Sequence, residues 1–153
     1  MKKMKHRLIF AIIAWVCVIL LCAMIFLFSA QTGDSSSELS DGIVNELIDK
    51  DAEYEIVSFL VRKTAHFLEY AALSFIVTIA LCLSFGEFKL YRKAVFMAFA
   101  FTVVYAISDE IHQLFIPGRA GRAIDVLIDS LGATFGILIC IVFVRIITKS
   151  KPK

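Results

Sequence analysis

Residues 108–136 read SDEIHQLFIPGRAGRAIDVLIDSLGATFG. Asp109, Glu110, His112, Gln113, Arg119, Arg122, Asp125 and Asp129 crowd into this stretch, between two long segments that are otherwise apolar. A central Asp, Lys or Arg costs roughly 2.5–3.5 kcal/mol to insert into a bilayer, so charge in such a place points to a site. Pro117-Gly118 cannot continue a helix and predicts a tight turn. The stretch therefore reads as helix, turn, helix. Its apolar flanks run over about 94–115 and 123–147, each long enough to cross a hydrocarbon core, which needs about 20 residues.

The rest of the chain extends this reading. Of the 153 residues 59% are hydrophobic, and mean hydropathy is +0.83. Soluble domains hold roughly 45–50% apolar residues, so the class is an integral membrane protein with one domain over 1–153. A basic lead, Met1–Arg7, precedes a further apolar run over about 8–30. That run exceeds the roughly 7–15 residues of a signal-peptide core, and it reads as a retained span. Residues 31–51 are polar and acidic, and eight of the 14 acidic residues lie between Asp34 and Glu55. Within them Ser40-Asp41 can cap a short helix with Ile43, Val44, Leu47 and Ile48 on one face.

The second span covers about 59–85, and a basic turn, Gly86–Lys93, follows it. The expected fold is all-α, a bundle of four transmembrane helices. The basic residues at Lys2, Lys3, Lys5 and Arg7, at Arg92 and Lys93, and at Arg145 and Lys149 predict that both termini are cytoplasmic. Cys17, Cys22, Cys82 and Cys140 lie in apolar runs without metal-ligand spacing and read as small hydrophobes. The basic–aromatic pattern of a nucleic-acid binder is missing, and nucleic acid is set aside as a partner.

A second polar cluster, Arg62-Lys63-Thr64-Ala65-His66-Phe67-Leu68-Glu69-Tyr70, opens the second span. Arg62, His66, Glu69 and Leu73 share one helical face, as do Tyr105, Asp109 and Gln113 in the third span. Arg122, Asp125, Asp129, Gly132 and Gly136 form a stripe on the fourth. There the glycines suit close helix approach, within the bundle or between two chains. With this topology all three polar groups stand at one depth, in the outer half of the bilayer.

At these residues the chain resembles the VanZ-like family of small membrane proteins. The matching pieces are Arg62-Lys63-x-x-His66-x-x-Glu69-Tyr70, Asp109-Glu110-x-x-Gln113-x-Phe115, Pro117-Gly118-Arg119, and Asp125-x-x-x-Asp129-x-x-Gly132-x-x-x-Gly136. The chain departs from the family in carrying Asp129 where an Asn is frequent. The resemblance implies a multi-pass protein of the cell membrane. Its namesake is associated with low-level resistance to the glycopeptide teicoplanin, which acts at the outer face on lipid-linked precursors.

Three readings of the polar residues follow. They can be an ion-pair network that holds the helices in register, with Arg62, Lys63, Arg119 and Arg122 against Glu69, Asp109, Glu110, Asp125 and Asp129. They can bind a lipid headgroup or a lipid-linked cell-wall precursor, because guanidinium groups donate two parallel hydrogen bonds to phosphate. Or they can form a hydrolase or transferase, with His66, Glu69, Asp109 and Glu110 as candidate catalytic groups and carboxylates for a divalent cation. Against the third, His66-x-x-Glu69 lacks the second histidine of a zinc-protease helix, and no Ser or Cys nucleophile motif is present. The candidate binding set is Arg62, Lys63, His66, Glu69, Asp109, Glu110, Gln113, Arg119, Arg122, Asp125 and Asp129. Arg119 also suits interface anchoring by snorkelling. Tyr70 reads as an interfacial belt residue, and His112 as facing lipid headgroups. No cofactor is specified by these residues.

Overall fold

A computed structural model describes residues 2–32, 42, 54–86 and 91–149 of the chain. Four helices carry them: α1 (Lys2–Ser29), α2 (Tyr54–Phe85), α3 (Tyr91–Gln113) and α4 (Ala123–Lys149). Each contains a segment long and apolar enough to cross a membrane, over Met4–Ser29, Ile56–Phe85, Tyr91–Gln113 and Ala123–Ile146. The helix expected at residues 40–48 lies outside the described residues, Gly42 apart, as do residues 87–90 of the turn expected at 86–93.

The third helix ends two residues before the expected limit. Leu114, Phe115 and Ile116 each donate to the carbonyl three residues back, so the last turn tightens into 3₁₀ geometry before Pro117 stops it. The Arg119 N–H then donates to the Ile116 carbonyl at 3.1 Å, with Gly118 at φ 74°. That is a type II turn, with Pro and Gly where its backbone angles want them.

Helix α2 is central and contacts each of the other three, most extensively α4. The bundle is small inside and large outside. Ala94, Ala98, Thr102 and Ala106 of α3 are fully buried, and their i, i+4 stripe continues into Asp109, Glu110 and Gln113. Phe96 and Val104 on the outer face of α3, and Phe115 just beyond its end, are exposed. In lipid the large apolar groups gain little by turning inward, so close packing of small residues holds helices together.

On α4, a Cβ added at Gly132 would collide with the Phe67 carbonyl, and one at Gly136 with the Ala71 carbonyl and the Ser74 hydroxyl. The two glycines therefore form a seam with α2 inside the bundle. Ser74 Oγ adds a hydrogen bond across it to the Ala133 carbonyl at 2.8 Å. Helix α1 is fastened by Tyr105, whose hydroxyl donates to the Cys22 carbonyl at 2.6 Å. All four cysteines are free thiols within the helices.

A cationic cavity over buried carboxylates

The chain direction brings the end of α1, the early turns of α2, the end of α3 and the start of α4 to one end of the bundle. At that end Lys63 on α2 pairs with Asp125 on α4 at 2.5 Å. A Glu110 carboxylate oxygen accepts the backbone N–H of Arg122 at 2.8 Å. That N–H stands just before α4, where the first amides of a helix lack intrahelical partners, so α3 caps α4 with a side chain. A Cβ at Gly121 would strike the Glu110 carbonyl, so this loop lies directly on the end of α3.

Arg119 reaches the other way. Its Nε donates to the Gln31 carbonyl and one terminal nitrogen to the Phe28 carbonyl, both at 3.2 Å. These carbonyls belong to the C-terminal end of α1, which a cation suits. Arg119 is thus a clasp on α1. Burial, and then the positive field of Arg62, draw its pKa below the ordinary value, while Asp109, Glu110 and Glu69 act against that.

Between these elements lies a cavity of about 330 Å³. Arg62, Lys63, Arg119 and Arg122 line it, with His66, Gln113 and Asp125, and Phe59 forms part of the wall. Four cations face one carboxylate there, and that carboxylate is already paired with Lys63. Such a lining attracts anions, and the arginines present flat donor forks suited to phosphate or carboxylate.

The remaining acidic candidates sit behind the lining. Asp129 is 0% exposed and Asp109 3% exposed. Neither oxygen of Asp129 accepts a hydrogen bond within the described structure, and one oxygen each of Asp109 and Glu110 is in the same position. Asp109's other oxygen accepts from the Gln113 amide at 3.2 Å. His66 Nδ1 is 3.9 Å from Asp129, too far for a hydrogen bond and close enough for a charge pair. Leaving buried polar atoms unmade is costly, by about 1–3 kcal/mol each and more for charges. Glu69 is half-buried and within the electrostatic reach of Arg119.

Of the candidate set, the cavity therefore gathers Arg62, Lys63, His66, Gln113, Arg119, Arg122 and Asp125, while Glu69, Asp109, Glu110 and Asp129 stand outside its lining. Two sequence expectations are overturned. Tyr70 is no belt residue: it is 0% exposed, packed on the Tyr105 ring at 6.3 Å. Its i+4 spacing from His66 places it on the inner face and is the available signal. His112 faces α1 instead of lipid, stacked on Phe26 with ring centroids 4.6 Å apart. Among the described residues no three His, Cys, Asp or Glu side chains come together as a metal-ligand set.

The family model described as VanZ/LLP1 matches residues 13–144. No curated protein and no solved structure matches the chain. The match takes in most of the first membrane-crossing segment and nearly all of the other three. It also takes in the whole polar constellation at their common end, and the chain is accordingly a multi-pass membrane protein of the VanZ/LLP1 family.

Proposed function

We propose that the cavity binds the phosphate-bearing headgroup of a membrane lipid or lipid-linked envelope molecule, and that the protein thereby alters glycopeptide susceptibility. One observation carries this reading: four cations line a cavity whose single carboxylate is already paired. A purely structural network would match its charges, yet Asp129, Asp109 and Glu110 keep oxygens without hydrogen-bond partners while four cations line the cavity. Such separation of charge suits an anion that enters the cavity from the membrane. The cavity faces outward in this reading, because the basic residues at Lys5, Arg7, Lys93 and Arg145 stand at the opposite end, where the positive-inside bias puts the cytoplasm. The chain acts as one domain over its length.

The test uses the full chain in nanodiscs of uncharged lipid doped with phosphatidylglycerol or phosphatidic acid, each against diacylglycerol. Retention of the phosphate-bearing lipids by native mass spectrometry, weakened at least about tenfold by the double change Arg62→Gln and Arg122→Gln, or about 1.4 kcal/mol, is the expected result. Equal retention of diacylglycerol overturns the reading. For the cellular role, teicoplanin susceptibility of cells with and without the gene is compared, and identical values overturn it.

A further inference from the structure

We infer that the cavity selects a terminal phosphate, a phosphomonoester or the end of a diphosphate, over a phosphodiester, with His66 as the proton-carrying donor in its lining and Asp129 as that histidine's positioning partner. The inference rests on the headgroup reading above and narrows its ligand class.

Two observations lead to it. First, the lining is made of donors: Arg62, Lys63, Arg119, Arg122 and the Gln113 amide. A terminal phosphate can turn three free oxygens to such a wall, whereas a diester has two to offer and a second substituent to place. Second, the charges favour a dianion. Arg62, Lys63, Arg119 and Arg122 outnumber Asp125 in the lining, with Glu69, Asp109 and Glu110 acting on Arg119 from behind it. A phosphomonoester carries about −1.5 to −2 at pH 7, and a diester carries one negative charge.

His66 adds a proton that the ligand can share. It lines the cavity, while its Nδ1 is buried, makes no hydrogen bond and points toward Asp129 at 3.9 Å. That leaves the opposite edge of the ring, with Nε2, for the cavity. Asp129, buried without a hydrogen-bond partner, stands 3.9 Å from Nδ1. Lys63 of α2, Asp109 of α3, Arg119 of the loop and Asp125 of α4 also act on the ring, and of these Asp125 is held by Lys63 and Asp109 by Gln113. A phosphate dianion entering the cavity adds a negative charge on the ring's open side, where a shared proton can sit. Imidazole and phosphomonoester both titrate near neutrality, so terminal-phosphate binding takes up a proton from solvent and diester binding does not.

The same nanodiscs provide the test. In the wild-type chain phosphatidic acid binds at least about tenfold more tightly than phosphatidylglycerol, and its binding weakens as pH rises from about 6 to about 8. His66→Gln, which keeps a donor and removes the titration, abolishes that pH dependence and most of the preference. Asp129→Asn is the second variant, expected to reduce the pH dependence with the cavity lining intact. Equal binding of the two lipids by wild type overturns the inference and leaves the headgroup reading standing. A preference unchanged in both variants removes His66 and Asp129 from it, which also overturns it. Failure of both lipids to exceed diacylglycerol overturns the headgroup reading itself. The wild-type comparison needs no variant, so a poorly folding His66→Gln leaves the inference open to refutation.

Discussion

The two ends of this bundle handle polar groups in opposite ways. At the end holding Phe85, Trp15 Nε1 donates to Ser84 Oγ at 3.0 Å, Arg7 reaches the Gly86 carbonyl at 3.4 Å, and Gly86 closes α2 in the left-handed conformation at φ 70°. These contacts are pairwise and local to helix ends. At the cavity end carboxylates keep free oxygens, cations are in excess in the lining, and α3 and the loop after it lend side chains to cap α4 and α1. Buried polar groups stabilise when fully satisfied and cost stability when they are not. The first end is built for register; the second carries an imbalance of a kind that a bound anion can relieve.

This contrast can be broken most forcefully at Lys63. Lys63→Ala takes from Asp125 its ion-pair partner, and breaking a buried pair costs up to roughly 3–5 kcal/mol. A fall in detergent melting temperature of several degrees or more is expected, and an unchanged value would mean that the pair is dispensable. Arg119→Gln removes charged donors from the end of α1, at about 2 kcal/mol, and should lower the melting temperature in detergent by less than Lys63→Ala does; no change would mean that the clasp is dispensable. Asp129→Asn should go the other way, leaving stability unchanged or raising it by about 1 kcal/mol; a marked loss would show that the carboxylate is a structural partner. The smallest change belongs to the other end. Ser84→Ala removes two ordinary hydrogen bonds, from Trp15 and to the Ala80 carbonyl, together about 1 kcal/mol, and should leave phosphatidic acid binding as it was. If it alters that binding, the two ends are coupled and the contrast between them weakens.

Four helices were legible because about 20 consecutive apolar residues have few other uses. Their polar groups were legible at one level because i, i+4 spacing fixes a face and alternating direction fixes depth. The Ala94-Ala98-Thr102-Ala106 stripe carries the same spacing and marks the inner face of α3. The partners were harder. Arg119 ends on main-chain carbonyls of α1, and a carbonyl has no signature in a sequence. Lys63 takes Asp125 over the carboxylates of α3 because of how α2 crosses α4, which spacing within either helix does not determine. Tyr70 and His112 depart from expectation for a related reason. Both are amphipathic rings at the level of the interface, and only the packing of Tyr105 and Phe26 against them decides which way they turn.

The Arg119 clasp has a consequence for how the molecule is made. The ribosome completes α1 long before anything exists to hold it. Its first fastenings, Trp15 to Ser84 and Arg7 to Gly86, arrive 69 and 79 residues later. Tyr105 follows at a separation of 83 from Cys22, and Arg119 last, 88 and 91 residues after the carbonyls it seizes. In order of synthesis these bonds fasten the N-terminal half of α1 first and its C-terminal end last. The residue that makes the last of these bonds also lines the cavity, so the cavity is completed as the oldest helix is fastened.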